Sequence, residues 1–102
     1  MKYHTLIELK VDAPVAVLDA LSDQLAEALY DLHDVIDPDL GATLTTGRLD
    51  VSMVVEADTL EAALTKAATA TRAAVHAVGA ATPGWEDLIR EIGAEAKALT
   101  DA

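Results

Sequence analysis

The chain contains no cysteine. That excludes disulfides, thiolate zinc sites, cysteine-ligated iron–sulfur clusters and a cysteine nucleophile. It also contains no phenylalanine, and only one Trp and two Tyr among its 102 residues. Its core must therefore come from Leu, Val, Ile and Ala. Drug-sized ligand pockets usually have aromatic walls, so this composition argues against a flat organic cofactor, and no cofactor is expected. Cations are scarce as well: 7 Lys and Arg face 18 Asp and Glu, a formal net charge of −11. Affinity for nucleic acid comes mainly from Lys and Arg on phosphates, so direct nucleic-acid binding is not expected, nor is attraction to an anionic membrane. The N-terminal MKYHTLIELKVD has no apolar run of signal-peptide length. No stretch of the chain approaches a membrane span. A soluble, cytoplasmic protein is expected. The acidity serves solubility, and it also suits a basic protein partner.

Phosphate-cradling motifs are missing too: the five glycines form neither GxGxxG nor GxxxxGK[ST]. Ser22 and Ser52 lie outside any nucleophile-elbow context. The histidines, His4, His33 and His76, are scattered, and no spacing ties His4, Ser52 and Asp50 into a triad. Glu8 and Asp50 could do acid–base work only if a pocket desolvated them, and the composition advertises none. Asp31, His33, Asp34, Asp37 and Asp39 form the densest set of oxygen and nitrogen ligands. A calcium loop needs Gly at its sixth position and Glu at its twelfth. Counting from Asp31 those positions hold Ile36 and Ala42, and counting from Asp34 they hold Asp39 and Thr45. No metal site is assigned.

What the sequence does contain is pattern. The length suits one domain, residues 1–102. Tyr3, Thr5, Ile7, Leu9 and Val11 alternate with His4, Leu6, Glu8 and Lys10, which predicts a first strand over Tyr3–Val11. Asp12-Ala13-Pro14 reads as a helix start with Asp12 as N-cap. Leu18, Leu21, Leu25, Leu29 and Leu32 then form a stripe that places a helix at 13–32. A short edge strand is predicted over Leu40–Thr45, after Pro38. Leu40, Ala42 and Leu44 should point inward. Thr46-Gly47 makes the turn into the clearest strand of the chain. There Leu49, Val51, Met53 and Val55 alternate with Arg48, Asp50, Ser52 and Val54, up to Glu56.

The period becomes helical at Asp58, read as a cap with Glu61 reaching back. Leu60, Leu64, Ala67, Thr71, Val75 and Val78 form the predicted stripe of the second helix, and Gly79 its stop. The low bulk of that stripe predicts a helix lying close on a sheet. The C-terminal stretch allows two readings: a third helix to the end, or a helix at 84–91 followed by a strand over Ile92–Leu99. The second is adopted because it completes a ferredoxin-like βαββαβ sandwich, an α+β fold with two helices on one face of an antiparallel sheet. The last strand would then lie beside the first. Trp85 is expected to pack on the core, since Leu88 and Ile92 share its helical face.

Such a sandwich leaves one sheet face open. Alternation assigns His4, Leu6, Glu8, Lys10, Arg48, Asp50, Ser52 and Val54 to it, with Lys10 near Arg48 or Asp50 and His4 near Val54 or Glu56. This face is the candidate binding surface. An open face in so small a domain often needs cover, so a homodimer is expected. The leading functional expectation is a small, acidic, non-enzymatic interaction or regulatory domain. One alternative is a dimeric α+β barrel enzyme or small-ligand binder whose cavity His4, Glu8, Arg48 and Asp50 would line. Another is an acidic nucleic-acid mimic that inhibits a DNA-binding protein.

Overall fold

The computed structural model of the chain describes residues 1–81 and 89–99. The elements run β1 (Lys2–Val11), α1 (Val15–Tyr30), β2 (Ile36–Thr43), β3 (Arg48–Glu56), α2 (Leu60–Ala81) and β4 (Ile89–Ala98). The four strands form one antiparallel sheet in the order β2-β3-β1-β4. This is the βαββαβ arrangement expected from the sequence, and the last strand does pair beside the first.

The register follows from the alternation. In β1, Tyr3, Thr5, Ile7, Leu9 and Val11 are buried, and in β3 so are Leu49, Val51, Met53 and Val55. A slip by one residue would expose both sets, so the apolar pattern itself fixes the pairing. Ile7 lies opposite Val51, and Leu9 opposite Leu49. Thr5 is the polar member of the buried set; its hydroxyl donates to the Met53 carbonyl at 2.8 Å, which meets the need of a buried polar group for a partner. Helix α1 covers this face with Leu18, Leu21, Leu25 and Leu29, all buried.

Helix α2 contributes Ala63, Ala67, Thr71, Ala74 and Val78. That stripe shares Ala67, Thr71 and Val78 with the expected one but is rotated slightly from it: Leu60 is exposed, and Ala63 and Ala74 are buried. Small residues let the helix backbone approach the sheet, so the alanines, not the leucines, face inward. The buried Thr71 hydroxyl donates back to the Ala67 carbonyl, one turn earlier.

Element ends differ from the sequence reading. Pro14, not Asp12, occupies the cap position of α1, and no side chain caps that end. For α2 the cap is Thr59, whose hydroxyl accepts from the Ala62 amide at 3.1 Å, rather than Asp58. Helix α2 continues through Gly79 to Ala81; a single helical glycine costs only about 1 kcal/mol against alanine, and Ala80 and Ala81 favour continuation. Strand β2 starts earlier than expected, at Ile36. A register shift between Ile36 and Asp39, with Asp37 at φ 48°, takes up Asp37 and Pro38. An edge strand tolerates such an irregularity. Leu40 and Leu44 pack against the core, whereas Ala42 is exposed. Strand β4 begins at Ile89, so residues 89–91 are strand where the sequence reading continued a helix. Trp85, and the rest of that expected helix, lie outside the described residues.

Candidate functional site

The open face carries the residues expected there, in the order expected. Lys10 lies opposite Arg48, Glu8 opposite Asp50, Leu6 opposite Ser52 and His4 opposite Val54. The flanking strands extend these pairs into rows across the sheet. Arg90 joins Lys10 and Arg48, so one end of the face is basic. The next row is Gly41, Asp50, Glu8 and Gly93, and the one after it Asp39, Ser52, Leu6 and Glu95. Carboxylates therefore fill the middle.

Arg48 spans the boundary between the two. Its guanidinium sits 2.6 Å from Glu8 Oε2 and 3.1 Å from Asp50 Oδ1. The hydrogen bond that Arg48 donates to Asp50, then the charges of Glu8 and Asp50, raise the Arg48 pKa above its ordinary value. The Lys10 ammonium turns to the hairpin and donates to the Thr46 carbonyl. All of these side chains remain partly solvated, and such pairs contribute fractions of a kcal/mol each. A shallow hollow of about 190 Å³ at His4, Leu6, Glu95, Ala96 and Lys97 marks the β4 side of the face. The alternation of basic and acidic rows differs from the unbroken negative strip that a nucleic-acid mimic would present.

A deeper cavity lies on the other side of the sheet. It has a volume of about 380 Å³ and sits between α2, β1 and β4, lined by Leu9, Ala68, Thr71, Arg72, Val75, His76, Ile89 and Glu91. The floor is apolar and the small side chains of Ala68 and Thr71 leave the space. Arg72 and His76 are one helical turn apart on α2, and Glu91 reaches across from β4. Arg72 Nη2 and Glu91 Oε2 stand 3.7 Å apart. This volume falls within the range of about 300–1,000 Å³ typical of small-molecule sites, and an apolar wall with a few convergent polar groups is their usual chemistry.

Sequence reasoning missed this cavity. Its polar residues come from elements that carry no motif, and the charge of Glu91 was assigned to a helix rather than a strand. A signal was available in the alanine and threonine of α2, which leave room beside a sheet, but volume is a property of packing and not of spacing.

The acidic cluster does not converge. Asp31 closes α1, His33 and Asp34 border a second hollow of about 280 Å³ with Lys66 and Thr69, and Asp37 and Asp39 belong to β2. Among the described residues no three His, Asp or Glu side chains are grouped to hold a metal ion. No helix among them is long and apolar enough to cross a membrane.

The arrangement defines a ferredoxin-like α+β domain with one covered and one open sheet face, and solved structures share it. No protein-family model matches the sequence, and no curated protein matches it. The crystal structure of a "putative Antibiotic biosynthesis monooxygenase" from Chloroflexus aurantiacus J-10-fl superposes with a TM-score of 0.64 at 11% identity, covering 100% of this chain and 96% of that one. The structure of Rv0793 from Mycobacterium tuberculosis gives 0.57 at 14% identity, covering 100% and 98%. Identities this low establish the fold, and a fold hosts many functions.

They nevertheless correct the leading expectation from the sequence. The sequence favours a non-enzymatic interaction or regulatory domain through its lack of a catalytic motif, its acidity and its predicted open sheet face. The full-length likeness to a protein described as a monooxygenase favours the alternative of a barrel-type enzyme or small-ligand binder, but the cavity of ligand size lies between α2 and β4 and not over His4, Glu8, Arg48 and Asp50, where that alternative placed it.

Proposed function

We propose that this protein is a small-ligand-binding domain of the enzyme-bearing, dimeric α+β barrel kind. Its ligand is a small organic molecule with an apolar body. The observation that carries the reading is the cavity between α2 and β4, because it combines sufficient volume, an apolar floor and three ionisable groups at one side. The Chloroflexus aurantiacus neighbour, described as a putative antibiotic biosynthesis monooxygenase, is in keeping with a small organic ligand. Arg72, His76 and Glu91 are the groups that can orient such a molecule and move a proton on it.

Calorimetric titration against a panel of small aromatic and alicyclic molecules tests the reading. At least one should bind with micromolar affinity, and Ala68→Trp, which fills the cavity, should lower that affinity at least tenfold while preserving the circular dichroism spectrum. Affinity unaltered by Ala68→Trp would place the ligand elsewhere.

In this reading the open face is the interface with a second copy. Leu6 and Val54 supply its apolar centre. The basic row at one end of the face, Lys10, Arg48 and Arg90, and the carboxylates Asp39 and Glu95 are charges that two copies can pair across such an interface. Charge complementarity of this kind sets register and orientation more than raw affinity. Light scattering should give a dimer, and Leu6→Glu should give a folded monomer. A strictly monomeric parent protein at high concentration would refute the interface.

A further inference from the structure

Strand β4 contains an irregularity that decides what reaches the cavity. Tyr3, Thr5 and Ile7 lie opposite Ala98, Ala96 and Ala94, all on the covered face, and Glu8 lies opposite Gly93 on the open face. Unbroken alternation would next place Ile92 on the covered face, opposite Leu9, and Glu91 on the open face, opposite Lys10. The register instead shifts between Glu8 and Leu9, so that Leu9 lies opposite Glu91 and Lys10 opposite Arg90. Ile92 is the extra residue, and it is 49% exposed.

The unshifted register would be favourable by every local rule. It would turn apolar Ile92 towards Leu9 and set Glu91 beside a lysine in solvent. The chain adopts the arrangement that leaves Ile92 exposed and turns a carboxylate, its side chain still 35% exposed, to the helix-covered side of the sheet. Bulges of this type re-aim side chains and occur next to active sites, and departures from local consistency concentrate at functional positions.

We propose that the bulge at Ile92 installs Glu91 as the ligand-recognising carboxylate of the α2–β4 cavity, where with Arg72 it selects an apolar molecule by its hydroxyl group. The inference rests on the cavity being the ligand site. Glu91 and Arg72 stand 3.7 Å apart, longer than a hydrogen bond between them. A hydroxyl seated beside both donates its proton to the Glu91 carboxylate and accepts from the Arg72 guanidinium. Both groups then hold charge-assisted hydrogen bonds that water otherwise supplies. An unhydroxylated molecule of the same shape partly desolvates the Glu91 carboxylate and returns no hydrogen bond, leaving it only the 3.7 Å ion pair with Arg72, and such a loss discriminates between ligands. His76 borders the same space, one turn from Arg72.

The probes are 1-naphthol and its near-isostere 1-methylnaphthalene, titrated into the full chain. Apolar burial alone favours the methyl compound. The parent protein should bind 1-naphthol about tenfold more tightly, the effect of one charge-assisted hydrogen bond. Glu91→Leu should weaken 1-naphthol about tenfold and leave 1-methylnaphthalene at least as tightly bound.

Two further variants separate recognition from stability. Deletion of Ile92 removes the bulge but keeps Glu91 opposite Leu9, so the preference should survive. The exchange Glu91→Ile with Ile92→Glu keeps the composition and should stabilise the fold while abolishing the preference. Equal affinities for the two probes in the parent, or a preference that survives Glu91→Leu, would overturn the proposal and leave the cavity reading standing. Failure of both probes to bind would overturn this proposal, while the cavity reading falls only if no member of the wider panel binds.

Discussion

Replacing Gly47 with alanine should lower the unfolding free energy by about 3 kcal/mol, from left-handed strain and steric overlap together. Gly47 closes the β2–β3 hairpin at φ 71°. A side chain there meets the protein twice over: a Cβ would lie 2.5 Å from the Val11 carbonyl oxygen and 2.9 Å from Lys10 Nζ. The ammonium can move, because it ends a flexible chain. The carbonyl cannot move without disturbing β1, since the Val11 amide donates to the Gly47 carbonyl at 2.7 Å and locks the two backbones together. A domain of this size loses roughly 4–8 °C of melting temperature per kcal/mol, so thermal unfolding should fall by about 15 °C. A loss below about 0.5 kcal/mol, the level of an ordinary surface substitution, would show that the turn does not need this conformation.

Leu25→Ala should cost about as much, by another mechanism. Leu25 is fully buried in α1 at the centre of the core. With no phenylalanine in the chain, few large neighbours can collapse into the space. Such truncations cost about 2–5 kcal/mol, and poorly relaxing sites fall in the upper part of that range. Against a total stability of about 5–15 kcal/mol for a domain, the variant should show a clearly lowered urea midpoint. Leu60→Ala is the control. Leu60 is 43% exposed, so it should change stability by less than about 0.5 kcal/mol. Similar losses at the two positions would put Leu60 back on the buried stripe that leucine spacing alone suggests.

That contrast shows which parts of the fold are legible in the sequence. β1 and β3 are read correctly to within a residue, because burial on one face imposes a period of two and Leu49, Val51, Met53 and Val55 satisfy it without exception. The open-face pairs, Lys10 with Arg48 and His4 with Val54, follow from the same alternation once the topology is chosen. α2 is found but misrotated. Leucine spacing competes there with alanine spacing, and the close approach of helix to sheet is a tertiary demand that decides for alanine. β4 is the hardest element. Its helix-facing residues Ala94, Ala96 and Ala98 have weak strand propensity, and the bulge at Ile92 breaks the period.

The site was less legible for the same reasons. The open face follows from β1 and β3. The cavity depends on the space beside Ala68 and Thr71 and on a shift of register that places Glu91 inward, and neither leaves a motif. In the sequence only the open face is visible as a candidate surface, and that face suits an interaction domain.

The most direct test of the ligand-binding reading is amide chemical-shift mapping by nuclear magnetic resonance during titration with 1-naphthol. The account predicts saturable shifts concentrated at Ala68, Thr71, Arg72, Val75 and His76 on α2 and at Ile89 and Glu91 on β4. Shifts concentrated instead at His4, Leu6, Glu8, Arg48 and Asp50, or no saturable shifts at all, would contradict it.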